Sequence, residues 1–331
     1  MTKRILFVAV CALVSLAANA EALDLSDTET ANCYMVPSGR QSYSFNALVK
    51  GNGIAPYGEP TAIPASQIKS VKLLWQDAEI IDASSVRFSK DRIFFKTRAE
   101  VLTGNAVIAI YSDKECSDGS CIWSWHIWMT DAKDCRMAGF EFLDRNLGAD
   151  GTGLQENGRN GLFYQWGRKD PFSQTGALEK TIYCGKVTTG FLCSYPQTFV
   201  SRDGRIVDIN EALWCKASTG QDSRTVRLSI QTKTMYDPCP PGYHVPNYCD
   251  IALIKASGSH SFVKAGARWY DVQPADPDKV GESGYYWCAT IGRNSRNGAS
   301  DFYLWSLGIG LGSHYYNSSA FCVRPQKFYA K

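Results

Sequence analysis

Past residue 20 the chain has no apolar run approaching the roughly 20 residues that a membrane-crossing helix needs. It also lacks any block of like charge. Its 35 basic and 32 acidic residues are interspersed, so no strong field for nucleic acid or an anionic membrane arises. Histidine is scarce: the four (126, 244, 260 and 314) are scattered, and no two cysteines stand in CxxC spacing, which argues against a zinc site. GxSxG, HExxH and P-loop patterns are missing, and Glu100, Glu141 and Glu282 fall in no recognisable carboxylate pair. "QPADPD" (273–278) supplies Asp276 and Asp278, but no Asn-Asp pair follows a tryptophan in the last strand candidates, so no calcium site is expected. The expectation is a chain without metal or cofactor, and not an enzyme.

What the chain does have begins at its start. Lys3 and Arg4 precede an apolar run from Ile5 to Ala18, and Ala18-Asn19-Ala20 forms a small-x-small cleavage signal before Glu21. Residues 1–20 therefore read as a signal peptide. Cys11 lies inside the apolar run behind the bulky Val10, which argues against a lipoprotein signal. Without Lys3 and Arg4 the formal net charge falls from +3 to +1. The implied location is exported: periplasm, outer surface or extracellular.

Of the 12 cysteines, loss of Cys11 leaves 11, an odd number. Behind an export signal the default reading is disulfides, with at least one thiol left over. Cys116 with Cys121 and Cys184 with Cys193 could each close a short loop. Cys239 has Cys215, Cys249, Cys288 and Cys322 as candidate partners, and spacing does not choose among them.

Residues 33–131 read as β-structure. Val71 to Trp75, Ile80 to Phe88, Ile93 to Thr97, Ala106 to Tyr111 and Ile122 to Thr130 are rich in β-branched and aromatic residues and separated by turn signals. In 121–129, Cys121, Trp123, Trp125, Ile127 and Met129 alternate with Ile122, Ser124, His126 and Trp128, giving one buried and one mixed face. A β-sandwich over residues 21–132 is expected. Residues 133–331 change character, with helix candidates at Asn160 to Gly167, Ile209 to Lys216 and Asn247 to Ser257, then strand candidates at Ala267 to Tyr270, Tyr285 to Thr290, Asp301 to Leu307 and Phe321 to Arg324. No βαβ rhythm appears, so the class is α+β. "DPCPPGYHVP" (237–246) bars helix before about residue 247 and reads as a rigid corner into the helix that follows; ligand contact by Tyr243 or His244 is the second reading.

Five ordered segments, "FLDRNLGA" (142–149), "GLFYQWGRKDPF" (161–172), "DPCPPGYHVP" (237–246), "GYYWCAT" (284–290) and "FCVRP" (321–325), resemble the Fibrobacter succinogenes major paralogous domain of exported Bacteroidetes and Fibrobacteres proteins. Upstream, residues 29–53, "LLWQDA" (73–78) and "WSWHIW" (123–128) resemble the N-terminal β-region of Bacteroides surface proteins, some associated with fimbriae. The resemblance implies a C-type-lectin-like α+β domain over 133–331 after the β-sandwich. It names no settled activity. Cys288 departs from the family's serine or threonine, and a Cys288 to Cys322 bridge would be this chain's own addition.

Lectin-like domains present side chains from irregular loops and the strands beside them. Residues 291–319 are rich in Asn, Ser, Tyr and Gly, the composition of a binding surface. Alternation puts Asp301, Tyr303 and Trp305 on one strand face, opposite the apolar Phe302 and Leu304, with Asn294, Arg296, Asn297, His314, Tyr315, Tyr316 and Asn317 flanking. These ten residues are the expected ligand contacts, for a glycan or for a host or bacterial surface protein. A retroelement-diversified binding face at 291–319 is one form of this reading. The alternatives are a structural or tip subunit of a fimbria-like assembly, contacting fimbrial subunits, and an enzyme of unknown reaction.

Overall fold

The computed structural model describes residues 21–151, 160–173, 181–183, 186–200, 205–206, 214–216, 232–269, 278–291, 299–306, 308–312 and 315–328. The signal-like segment 1–20 lies outside them. The described chain is a β-rich α+β fold.

The N-terminal half holds β1 (Leu23–Asp24), β2 (Cys33–Val36), β3 (Ser42–Asn46), β4 (Ser70–Gln76), β5 (Arg87–Ser89), β6 (Arg92–Lys96), β7 (Gly104–Tyr111) and β8 (Cys121–Met129). They form two four-stranded sheets, ordered β1-β3-β6-β5 and β2-β8-β7-β4. Inward aromatics join the sheets: the Phe45 ring lies 5.0 Å from Tyr34 and 5.3 Å from Trp125. The strand expected through Ile80 to Phe88 is interrupted, because the Asp82 carboxylate accepts the Ser84 N–H at 3.1 Å and starts a 3-10 turn, leaving only β5 extended.

The C-terminal half continues with β9 (Asp134–Met137), β10 (Phe140–Leu143) and β11 (Phe163–Gln165), then β12 (Thr181–Tyr183), β13 (Lys186–Val187), α1 (Thr189–Ser194), β14 (Thr198–Val200), β15 (Arg205–Ile206), β16 (Cys215–Lys216), β17 (Thr232–Lys233) and β18 (Tyr243–His244). After these come α2 (Tyr248–Ser257), β19 (Gly284–Ile291), β20 (Ala299–Trp305), β21 (Gly308–Gly312), β22 (Ala320–Cys322) and β23 (Gln326–Lys327). Five of them make the principal sheet, ordered β11-β22-β19-β20-β21. A four-stranded sheet, β18-β23-β10-β9, pairs the first strands of this half with its last.

Helix α2 forms where the sequence placed it. Asn247 is its N-cap, and Gly258 ends it at φ 68°, a left-handed conformation that glycine adopts without strain. Its buried Ile251 and Ile254 pack with Phe302, Leu304 and Tyr286 of the principal sheet. The helix expected at Asn160 to Gly167 is instead β11. Gly161 turns the chain at φ 73°, and Phe163, Tyr164 and Gln165 are all buried, so an apolar run with no polar side was read with the wrong period. Of the candidate at Ile209 to Lys216, the described part is Trp214, in a bend, and the short strand β16.

The expected boundary at 132 and 133 falls in the irregular link between β8 and β9, yet the core runs across it. One cluster contains Trp123, Trp125 and Phe45 together with Trp166, Trp214, Trp287 and Phe321. The face of β8 read as mixed is covered by the other half, and only Ile122 in the strand is not buried. Ser124 Oγ donates to Asp170 Oδ1 at 2.5 Å and accepts from Lys169 Nζ, Lys169 pairs with Asp170 at 2.6 Å, and the ammonium sits 4.5 Å from the Trp123 ring centroid. Trp128 Nε1 donates to the Ala149 carbonyl at 3.0 Å. At Gly51, φ 50°, an added Cβ would fall 2.3 Å from the Met235 carbonyl oxygen, so the halves touch backbone to backbone there.

The 237–246 corner is held from three sides. The fully buried Asp237 carboxylate accepts the N–H groups of Cys239 (2.7 Å) and Val245 (2.9 Å). Lys233 Nζ donates to the carbonyls of Cys239 (2.8 Å) and Pro240 (3.0 Å), and Asn32 Nδ2 reaches across from the N-terminal half to the carbonyls of Met235 (2.6 Å) and Asp237 (2.9 Å). These bonds satisfy polar groups that burial would otherwise leave costly.

Cys116, Cys121, Cys193, Cys239, Cys288 and Cys322 carry free thiols in this structure, and Cys184 lies outside the described residues. Cys288 and Cys322 are both buried in the helix-side core, but Tyr286 is the residue that pairs with Cys322. Two residues of offset on neighbouring strands separate their Cα atoms by about 8 Å, beyond the span of a disulfide.

Two outcomes test this architecture. Lys169→Ala leaves Asp170 as an unpaired buried charge and is expected to lower unfolding free energy by about 3–5 kcal/mol, read by urea denaturation. Because the core is continuous, circular dichroism and tryptophan absorbance should report one shared transition. The second concerns His126, which is fully buried; desolvation drives its pKa from 6.5 down to about 3. The unfolded chain therefore takes a proton near pH 6.5 that the folded chain refuses, so this contribution is complete above that pH and erodes as pH falls toward 3. His126→Gln should make the stability-versus-pH slope shallower by up to about 1.4 kcal/mol per pH unit between pH 6 and 4.

Candidate functional site

Alternation along β20 is as expected, but depth along the strand decides which residues reach solvent. Trp305, at its end, is 51% exposed; Tyr303 is half-buried. Asp301, toward the start of the same face, is fully buried between Gly312 and Trp287, the latter a member of the large core cluster, which corrects its expected exposure. Tyr315 is half-buried and Tyr316 is 37% exposed. Asn317 is also buried rather than presented, since its Nδ2 donates to the Ile206 carbonyl at 2.9 Å and its own carbonyl accepts from Trp166 N–H. Asn294, Arg296, Asn297 and His314 lie outside the described residues.

The exposed rings belong to a connected series. Trp305 meets Tyr303 edge to face at 5.2 Å, and Tyr303 lies 6.3 Å from Tyr285. Tyr285 meets Trp269 at 4.7 Å, and Trp269 and Tyr315 are 5.2 Å apart. Tyr315 in turn stands edge-on to the buried Phe321, which stacks on Trp287 at 4.2 Å. Edge and offset geometries of this kind add to area burial, so the outer rings are fixed in position by the inner ones. Burial raises the Tyr315 phenol pKa, which keeps it a neutral donor at physiological pH.

The glycines of β21 form the floor. Gly308, Gly310 and Gly312 stand opposite Trp305, Tyr303 and Asp301 respectively, so the edge strand carries no side chain on this face. A Cβ added at Gly310 would lie 2.2 Å from a Tyr303 ring carbon, which means the ring lies flat across the strand. The result is a ledge with Trp305 at its rim, Tyr303 laid along it and the exposed Ser306 beside it. Trp269, Tyr285 and the alternate glycines were missed as participants. The readable signal was Gly-x-Gly-x-Gly immediately after alternating aromatics.

Other clusters present less. Ser124, Lys169 and Asp170 have the composition of a nucleophile with its activating partners, but all three are buried within the interface and have no path to substrate. Among the described residues no group of histidine, cysteine and carboxylate side chains could hold a metal ion. No helix among them is long and apolar enough to cross a membrane. No protein-family model, curated protein or solved structure matches the chain.

The floor is tested by a double-mutant cycle. Gly310→Ala alone should cost about 1–3 kcal/mol of stability in urea denaturation, because the Tyr303 ring must leave its seat. In a Tyr303→Ala background the same change should be nearly neutral, and equal costs in both backgrounds would rule out the contact.

Proposed function

We propose that this chain is an exported surface protein of the kind its sequence resembles, a β-sandwich joined to a C-type-lectin-like domain, and that it recognises a glycan or protein ligand on the Trp305–Tyr303 ledge. The aromatic seam between two four-stranded sheets supports the sandwich. The pairing of the first and last strands of the C-terminal half, Phe142 with Gln326, supports the lectin-like reading. The observation that carries the function is a tryptophan more than half exposed beside a tyrosine ring held over bare glycine backbone. Soluble proteins bury such area where they can, and a rigid aromatic edge suits either the apolar C–H face of a sugar or a hot spot on a partner. A diversified 291–319 segment is part of this proposal, since it would place variation around the same ledge.

A fimbria-like subunit role rests on a separate observation. β21 is an edge strand whose sequence, Gly-Ile-Gly-Leu-Gly, carries none of the charges or prolines that usually protect an edge from pairing with another chain.

The test uses the secreted full-length chain. Glycan-array or cell-surface binding should fall at least tenfold in Trp305→Ala and in Tyr303→Ala, with unchanged far-ultraviolet circular dichroism. Binding that survives both substitutions places recognition elsewhere. Polymerisation abolished by Leu311→Lys, at a half-buried position of the edge strand, with an unchanged melting curve, would favour the assembly role instead.

A further inference from the structure

A second concavity lies on the N-terminal half, far in sequence from the ledge. It is a cleft of about 260 Å³ walled by Arg40, Lys96, Arg98 and Asp82, with Thr97 and Glu100 completing it. Its frame is fixed by the backbone. Thr97 N–H donates to the Gln41 carbonyl at 3.0 Å and Thr97 Oγ1 to that of Gly39 at 2.5 Å, while Gln41 N–H donates back to Thr97 Oγ1 at 3.0 Å. From the other side Asp82 N–H bonds the Lys96 carbonyl at 3.0 Å and Arg98 N–H that of Ile80 at 2.9 Å. Extended chain is thereby clamped on both edges, and the cationic side chains leave a rigid base.

The charges in the cleft are not equally available. The Asp82 carboxylate is engaged by the Ser84 N–H and hydroxyl, the latter at 2.7 Å, and Arg98 pairs with Glu79 at 3.1 Å. Arg40 and Lys96 make no ion pair among the described residues, while Glu100 is the opposing carboxylate. Three cations therefore face two carboxylates; Arg40 acts on Asp82 only through space, and both Arg40 and Lys96, outside any ion pair, are exposed. Guanidinium and ammonium groups at one concave site suit an oxyanion, the first through its planar fork and the second as a point charge. The volume exceeds that of a bare tetrahedral anion and accommodates one substituted sugar ring.

We propose that this cleft is a binding site for a sulfated sugar residue, with Arg40 and Lys96 contacting the sulfate. It does not depend on the aromatic ledge. The test is titration calorimetry of the full-length secreted chain with a sulfated heparin-type disaccharide, its desulfated counterpart and inorganic sulfate. The expected result is binding of the sulfated disaccharide that weakens as salt rises, drops at least tenfold in Arg40→Ser/Lys96→Ser, and persists in Trp305→Ala. The double variant changes only exposed side chains, and an unchanged melting curve verifies its fold. Equal affinity for the desulfated sugar, equal affinity for inorganic sulfate, or binding unmoved by the double variant would each overturn the assignment.

Discussion

The structure depends on one buried ion pair. Lys169 and Asp170 are consecutive residues of the C-terminal half, yet their charges are satisfied only when Ser124 of β8 closes over them and Trp123 lays its ring against the ammonium. Charges buried this deeply are tolerated when every lone pair and proton has a partner, and here the N-terminal half supplies the missing ones. The halves therefore complete each other's cores. The same logic governs the proline-rich corner, whose backbone is held by the Asp237 carboxylate and the Lys233 ammonium from within its own half and by Asn32, on the carbonyls of Met235 and Asp237, from the opposite half.

This joining explains where a binding surface can exist. One face of the principal sheet is covered by α2, and much of the other is absorbed into the shared core through Trp287 and Phe321. Among the described residues of this sheet, rings emerge toward the outer end of β20, at Tyr303 and Trp305. They emerge pre-positioned, because each leans on a neighbour that is more deeply buried. Ordering has thus been met during folding, which lowers the entropic cost of any later contact.

Much of the fold was legible because its strands are long and strongly patterned. β4, β6, β7, β8, β19 and β20 lie within two residues of where β-branched and aromatic runs placed them, and α2 follows its Asn247 cap and Gly258 stop. β11 was not legible, since an apolar stretch buried on all sides has no period to read. The site divided along a similar line. Alternation grouped Asp301, Tyr303 and Trp305, but which of them reaches solvent depends on how the neighbouring strands β19 and β21 are buried, which the alternation of one strand does not reveal. Asn317 resembled an adaptable binding residue by type; only the fold reveals that it bonds the Ile206 carbonyl.

The chain contains nine tryptophans, and eight of them, from Trp75 to Trp287, are buried or half-buried. Trp305 alone stands more than half in solvent. A collisional quencher such as acrylamide would therefore extinguish the emission of one indole preferentially, at the red edge of the spectrum, while the rest of the signal stayed dark to it. The molecule carries a native fluorophore at its rim, and occupancy there can be followed optically without attaching a label.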